Sequence, residues 1–336
     1  MARRRYIADL EPGEAVRQHF AVTKKALRPF RNKDGQFLSL VLSDKTGTVP
    51  ANVWDHAEEA ASSFSEGDIV FAEGKVEQYQ GRAQLTLSAI EAVDPSTVDL
   101  TEFLPRSDVD PHWLEKRFRA VAGAISSAPL RALLEGMLGD PELLSRLLES
   151  PAAKGLHHAR IGGLAEHIAS ALAIAEVVCQ AHPGLDRDLV MAGVMLHDIG
   201  KLWELQCGAT INYSVPGRLL GHIAIGFSEV DRRARAIPDF PEELRLQLLH
   251  IILAHHGSSE FGSPVRPMTA EAVAVHCIEN CDAQVAQFEE KIGAAVEEGR
   301  EFTEYDPLLE RYLYAGSRAV RDPGKRIGAN GQVELF

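Results

Sequence analysis

The sequence predicts a multidomain α and β protein: an N-terminal five-stranded β-barrel followed by an all-α helical bundle. Three observations carry that expectation. Residues 1–95 alternate apolar and polar side chains with a period of two. From Trp113 onward, apolar residues recur at threes and fours. Between them, DPSTVDLTEFLPRSDVD is acidic, holds Pro95 and Pro105, and reads as a linker over residues 96–110. The divisions that follow are a barrel over 1–95, a helical domain over 111–315 and a tail over 316–336.

The strands are GEAVRQHFAVTKKAL, QFLSLVLSD, GTVPANVWD, GDIVFAEGKVEQYQ and GRAQLTLSAIEAV, parted at Lys33-Asp34-Gly35, Lys45-Thr46-Gly47 and Gln80-Gly81. A short Ala-rich helix, His56 to Phe64, falls between the third and fourth. Five strands with a helix at that place form the OB-fold pattern, a small barrel whose face and loops bind single-stranded oligonucleotides or oligosaccharides. The first-to-second strand loop is expected to carry Lys24, Lys25, Arg28, Arg31 and Lys33 with Phe30 among them, cations for phosphates and an aromatic for a base. The plainer reading is a solvated hairpin with Phe30 folded onto the barrel. Trp54 and Tyr79 read as core residues or as stacking platforms.

The helices are expected at Trp113–Ser126, Pro129–Leu138, Pro141–Glu149, Gly163–Ala181, Asp186–Ile199, Leu219–Ala236, Glu242–Ala254 and Ala270–Glu289, several of them starting after Asp, Pro or Ser. Charge narrows the function classes. The 336 residues hold 35 Lys and Arg against 48 Asp and Glu, a net of −13 that excludes a basic nucleic-acid coat protein. The deficit sits in the helical half, since residues 1–95 hold 12 against 14 and the rest 23 against 34. No apolar run follows MARRRYIADLEPGE, and stretches such as Leu189–Leu196 are too short to cross a bilayer, so a cytoplasmic protein without a membrane partner is expected. Four cysteines make no disulfide framework; Cys277 and Cys281, four apart on a helix, read as two buried small residues.

Ten of the 13 histidines lie between His157 and His276. In LVMAGVMLHDIGK, His197 and Asp198 end an apolar helix, where an ionisable pair is costly unless a cation neutralises it. Around them in sequence stand His167 in HARIGGLAEH, His222 in LLGHI, His255-His256 in LAHHG and Asp282 in ENCDAQ. Singly each reads as a packed or surface residue. Together, in the order His, His-Asp, Asp, they resemble the HD phosphohydrolase superfamily over residues 150–295. With the OB-like barrel in front, KGLHHARIGGLAEH, GVMLHDIGK, GRLLGHI and LAHHGSSEFGSP resemble the YhaM-type 3′→5′ exoribonuclease family over roughly residues 5–315.

That resemblance implies a divalent-metal-dependent hydrolase shortening single-stranded RNA, or DNA, from its 3′ end. One ion would take His167, His197, Asp198 and Asp282, the other Asp198, His222, His255 and His256, with Asp198 bridging. Imidazole and carboxylate ligands suit Mn²⁺, with Fe²⁺, Co²⁺ or Mg²⁺ as alternatives, and the lack of thiolates argues against structural zinc. Two such ions can hold a hydroxide and steady the attacking and leaving oxygens. Lys201 reads either as a contact to a non-bridging phosphate oxygen or as the cap of a helix C-terminus. His157, His158 and Arg160 are candidates to touch phosphate or to protonate the departing 3′-oxygen, His158 ahead of His157. His250 and His276 lack ligand spacing and read as structural or surface residues.

The resemblance also leads one to expect a homo-oligomer. Past Leu313 the chain loses periodicity and ends in Gln332-Val333-Glu334-Leu335-Phe336, which resembles the short motif by which bacterial proteins bind the replication sliding clamp. Two other functions remain open: an HD-type phosphodiesterase for cyclic or mononucleotides, disfavoured by the missing Gly-Tyr-Pro element, and a non-catalytic nucleic-acid or clamp adaptor.

Overall fold

The alternating half closes on itself. In the computed structural model, which describes residues 5–30, 34–79, 82–154, 160–297 and 299–316, strands β1 (Ala15–Pro29), β2 (Gln36–Asp44), β3 (Gly47–Val53), β4 (Ile69–Tyr79) and β5 (Arg82–Val93) form a closed barrel in the order β1-β2-β3-β5-β4. Only β3 and β5 pair in parallel. Period-two patterning sends Leu38, Leu40 and Leu42 of β2 inward to meet Phe20, Val70 and Leu85, each fully buried. Each such side chain contributes about 1.5–3 kcal/mol by leaving water. Helix α1 (Ala57–Ser62) crosses between β3 and β4. This is the OB-fold read from the strand and helix order.

One strand differs in a way that matters. β1 runs on to Pro29, with its register against β2 shifted between Val22 and Lys24. Lys24, Lys25 and Arg28 therefore stand on a paired strand and not in the loop where they were expected. The shift acts as a bulge; Lys24 and Lys25 already fall within GEAVRQHFAVTKKAL, read as the first strand, and pairing with β2 carries it on through Arg28 to Pro29.

After the barrel come α2 (Pro111–Ala124), α3 (Ala128–Leu138), α4 (Pro141–Glu149), α5 (Gly163–Ala181), α6 (Arg187–Leu196) and α7 (Lys201–Glu204). A hairpin of β6 (Leu205–Cys207) and β7 (Ile211–Tyr213) follows, then α8 (Val215–Arg235), α9 (Glu242–Ala254) and α10 (Ala270–Glu297). Asp110 and Asp140 cap α2 and α4 through their carboxylates, with Pro at the first helical position where its missing N–H costs nothing. The core of this half joins Phe118, Leu130, Leu172, Val190, Ile251 and Val275 from six helices. By length and composition α5 could cross a membrane, contrary to the expectation that no stretch would be long enough, but its apolar residues fill this core.

The chain divides into two units, residues 1–106 with 206–212 and residues 107–205 with 213–336. Residues 96–106 thus group with the barrel: Phe103 is buried with Ala21, Ile69 and, from the β6–β7 hairpin, Ala209. Cys277 and Cys281 are exposed, not buried as their helical spacing suggested. Arg31, Lys33, His157, His158 and the segment Gln332–Phe336 lie outside the described residues.

Candidate metal centre

Helix α6 delivers its chemistry at its end. Asp186 starts it, accepting from the Leu189 N–H at 3.0 Å, and every residue from Leu189 to Leu196 is buried. The chain then turns at His197 and Asp198, both as buried as the helix before them. An ionised carboxylate at such depth needs compensation. Lys201 supplies part of it, donating from Nζ to Asp198 Oδ2 at 2.6 Å. Lys201 begins α7 and caps no helix C-terminus, because the helix expected to run to Ile199 ends at Leu196.

Histidines surround the same carboxylate. His197 Nε2 lies 3.3 Å and His167 Nε2 3.9 Å from Asp198 Oδ2, while His222 Nε2 and His255 Nε2 lie 3.4 and 3.6 Å from Oδ1. Burial opposes the Asp198 charge, but the Lys201 ammonium beside it outweighs that and holds the carboxyl well below its ordinary value.

The decisive feature is how the five imidazoles are held. His167 Nδ1 bonds Asp282 Oδ2 at 2.7 Å, His197 Nδ1 the Val194 carbonyl at 2.8 Å, and His222 Nδ1 Glu204 Oε1 at 3.2 Å. His255 Nδ1 bonds the Ile252 carbonyl at 2.8 Å and His256 Nδ1 the Phe261 carbonyl at 2.6 Å. Carbonyl and carboxylate oxygens only accept, so each Nδ1 donates its proton and each neutral ring keeps its lone pair on Nε2. Those lone pairs converge. His167 Nε2 and His197 Nε2 are 3.2 Å apart, and Asp198 Oδ1, His222 Nε2 and His255 Nε2 are buried without a hydrogen-bond partner among the described residues. Several Lewis bases facing one another with no donor among them are satisfied by a cation.

Two overlapping groups meet that description. His167, His197 and Asp198 form one, and Asp198, His222, His255 and His256 the other, with the ligand atoms of each group within 4.8 Å of one another. Asp198 belongs to both. Burial presses His255 down to about 3 and also lowers His256, so both rings stay neutral and basic toward a metal near neutral pH. The donor set, imidazole and carboxylate, suits a divalent first-row ion or Mg²⁺.

Asp282, expected among the ligands, is outside both groups. Its Oδ2 holds His167 and its Oδ1 accepts from Ser170, which is how a carboxylate orients a ligating imidazole. Glu204 does the same for His222 and also accepts from the His222 backbone N–H at 2.9 Å. Burial would raise the Glu204 carboxyl, but its bond to His222 prevails and lowers it. Nothing in the sequence marked this residue. Arg160, a candidate for phosphate, directs its guanidinium to Glu166 at 2.6 and 3.0 Å.

Two glycines shape the centre. A Cβ on Gly200 would lie 1.9 Å from the His222 carbonyl oxygen and 2.6 Å from Gly226 N, so α7 and α8 approach only because it has none. Gly221, at φ 71° and ψ 157°, breaks α8 immediately before His222 and turns that ring toward Asp198. His276 supports from behind, its Nδ1 2.7 Å from the His255 carbonyl.

Residues 160–284 match the family model of the HD domain. This part of the chain is an HD domain, a metal-dependent phosphohydrolase unit. Residues 22–93 match the model described as an OB-fold nucleic acid binding domain. An HD domain joined to such a barrel makes the chain a nucleic-acid-acting hydrolase. Among solved structures, the second OB-fold domain of replication protein A from Methanococcus maripaludis is similar at 22% identity over 27% of this chain and 94% of its own, with a TM-score of 0.23. A replication factor A related protein from Methanobacterium thermoautotrophicum is similar at 24% identity over 28% and 94%, with a TM-score of 0.25. A replication protein A heterotrimer bound to single-stranded DNA matches at 18% over 34% and 29%, with a TM-score of 0.24.

On the barrel, the expected nucleic-acid residues part company. Lys24 and Arg28 are exposed. Lys25 instead bonds the Ala61 carbonyl at 2.8 Å and the Phe64 carbonyl, closing the C-terminal end of α1. Phe30 folds onto the barrel, yet into an aromatic group at its surface: its ring is 5.5 Å from Phe37 and stacked 6.1 Å from Trp54, with Phe37 and Trp54 4.8 Å apart. Trp54 and Tyr79 are exposed. Phe37 was missed because it sits in a strand whose other apolar residues point inward.

Proposed function

We propose that this protein is a divalent-metal-dependent 3′→5′ exonuclease that acts on single-stranded RNA and, as a second substrate, single-stranded DNA. The observation that carries the reading is the convergence of Nε2 lone pairs and the Asp198 carboxylate, each imidazole locked through Nδ1 to an acceptor. The 3′→5′ direction and the preference for RNA rest on the resemblance of the His167, His197-Asp198, His222 and His255-His256 motifs to the YhaM-type family. Mn²⁺ fits the donor set, with Fe²⁺, Co²⁺ and Mg²⁺ as its competitors.

In this reading His167, His197 and Asp198 hold one ion and Asp198, His222, His255 and His256 the other. Divalent ions held there would acidify water and offset the charge of a phosphodiester under attack. The protein's own groups do the rest. Asp282 and Glu204 fix the rings of His167 and His222, so that no reorientation is needed on binding. Lys201 holds Asp198 Oδ2 by a charge-assisted bond and keeps that carboxylate ionised. On the barrel, Phe30, Phe37 and Trp54 offer faces for bases while Lys24 and Arg28 meet phosphates.

The test is 5′-labelled single-stranded RNA with Mn²⁺, with and without EDTA. A ladder shortening from the 3′ end that EDTA abolishes is the expected result. Hydrolysis of a cyclic or mononucleotide in place of the strand, or no hydrolysis at all, overturns it.

A further inference from the structure

The candidate ligands are not uniformly buried. His167, His197 and His255 are buried to 2% exposure or less, whereas His222 and His256 are only partly covered. These two rings lie 5.2 Å apart and form the least buried part of the set. The side chains attached to that part are apolar and unusually exposed. Phe261 is 72% exposed, and Leu219 and Leu220, which immediately precede Gly221-His222, are 77% and 63% exposed.

Phe261 is not loose. Its carbonyl accepts the His256 Nδ1 proton at 2.6 Å and its N–H donates to the Ser258 carbonyl at 3.2 Å. The buried Ser263 closes the same turn, its N–H donating to the Ser258 carbonyl at 3.0 Å and its Oγ accepting from the His256 N–H at 3.0 Å. An aromatic residue is thus fixed to an imidazole of the centre with its ring left in solvent. An exposed aromatic ring fixed beside a candidate metal ligand suits a ligand with a charged group for the metals and a flat face close by, which describes a nucleotide.

We propose that Phe261 stacks on the base of the nucleotide whose phosphodiester lies at the centre, and so selects nucleotide ends over other phosphodiesters. This rests on the reading of the chain as a nuclease and adds a specificity-determining residue to it. The experiment compares strands ending in an ordinary 3′ nucleotide with strands ending in an abasic one, for the wild type, Phe261→Ala and Phe261→Tyr. Phe261→Ala should lower kcat/KM on the ordinary end by about 5- to 150-fold, the range of a lost base–aromatic stack, while leaving the abasic end and the bound metal content unchanged. Phe261→Tyr should restore the wild-type value. A loss of equal size on both ends, or no loss on either, overturns the proposal. A wild type that cleaves neither strand overturns the nuclease reading instead. An independent readout uses Phe261→Trp, whose added emission should be quenched by a mononucleotide and not by inorganic phosphate; equal response to both also overturns the stacking assignment.

Discussion

The two halves of this protein put their chemistry in opposite physical settings. In the HD domain the candidate ligands are buried or half-buried, each imidazole held through Nδ1 by an acceptor and aimed by it. On the barrel the groups proposed to meet nucleic acid are aromatic rings and cations at the surface, with Trp54 38% exposed and Lys24 in solvent. A metal site demands fixed lone pairs at fixed separations, so the fold must build it from the inside. A strand-binding face asks only for π surface and positive charge, and can be laid over a barrel whose interior is packed for stability alone.

The sharpest way to break this contrast is Asp198→Ala. Since both groups of ligands share Asp198, turnover should vanish, while strand binding by the barrel, measured by fluorescence anisotropy, persists. Retained hydrolysis would remove the metal assignment. Gly200→Ala should come next. The added methyl cannot fit against His222 and Gly226 and should cost about 3 kcal/mol or more of stability, seen in chemical denaturation, together with metal affinity. Trp54→Ala addresses the other half. It should weaken strand binding by about 5- to 150-fold, the equivalent of a lost stack, with little change in melting temperature because the ring is exposed.

The smallest effect is one of acidity. Glu229 would be raised by burial, but its bonds to Arg232 and Arg233 outweigh that and hold it below its ordinary value of 4.5. A carboxylate lowered in the folded state stabilises above its unfolded pKa, and that stabilisation is lost as pH falls through the folded pKa. Thermal melts between pH 6 and 3 should therefore show a decline below about pH 4.5 that Glu229→Gln makes shallower.

The same contrast explains what could be read from the chain. His197-Asp198, His222 and His255-His256 were legible because a polar ligand type on an apolar helix violates patterning, and violations accumulate at functional sites. Glu204 was not, because its role exists only after the β6–β7 hairpin returns the chain to His222. Asp282 was recognised from the order of the motifs, but its bond to His167 exists only once α5 and α10 pack together. On the barrel, strand and helix order sufficed for the fold. Lys24, Lys25 and Arg28 belong to β1 where a loop was expected, and Lys25 is drawn to the end of α1, a helix distant in sequence, by a carbonyl that strand order does not reveal.

The hairpin has one more consequence. Residues 206–212 belong to the barrel's unit although they are encoded between Glu204 and His222. A fragment ending at residue 106 would therefore leave Ala21, Ile69 and Phe103 without Ala209. The barrel's unit is drawn from two stretches of chain, and no single cut separates it whole.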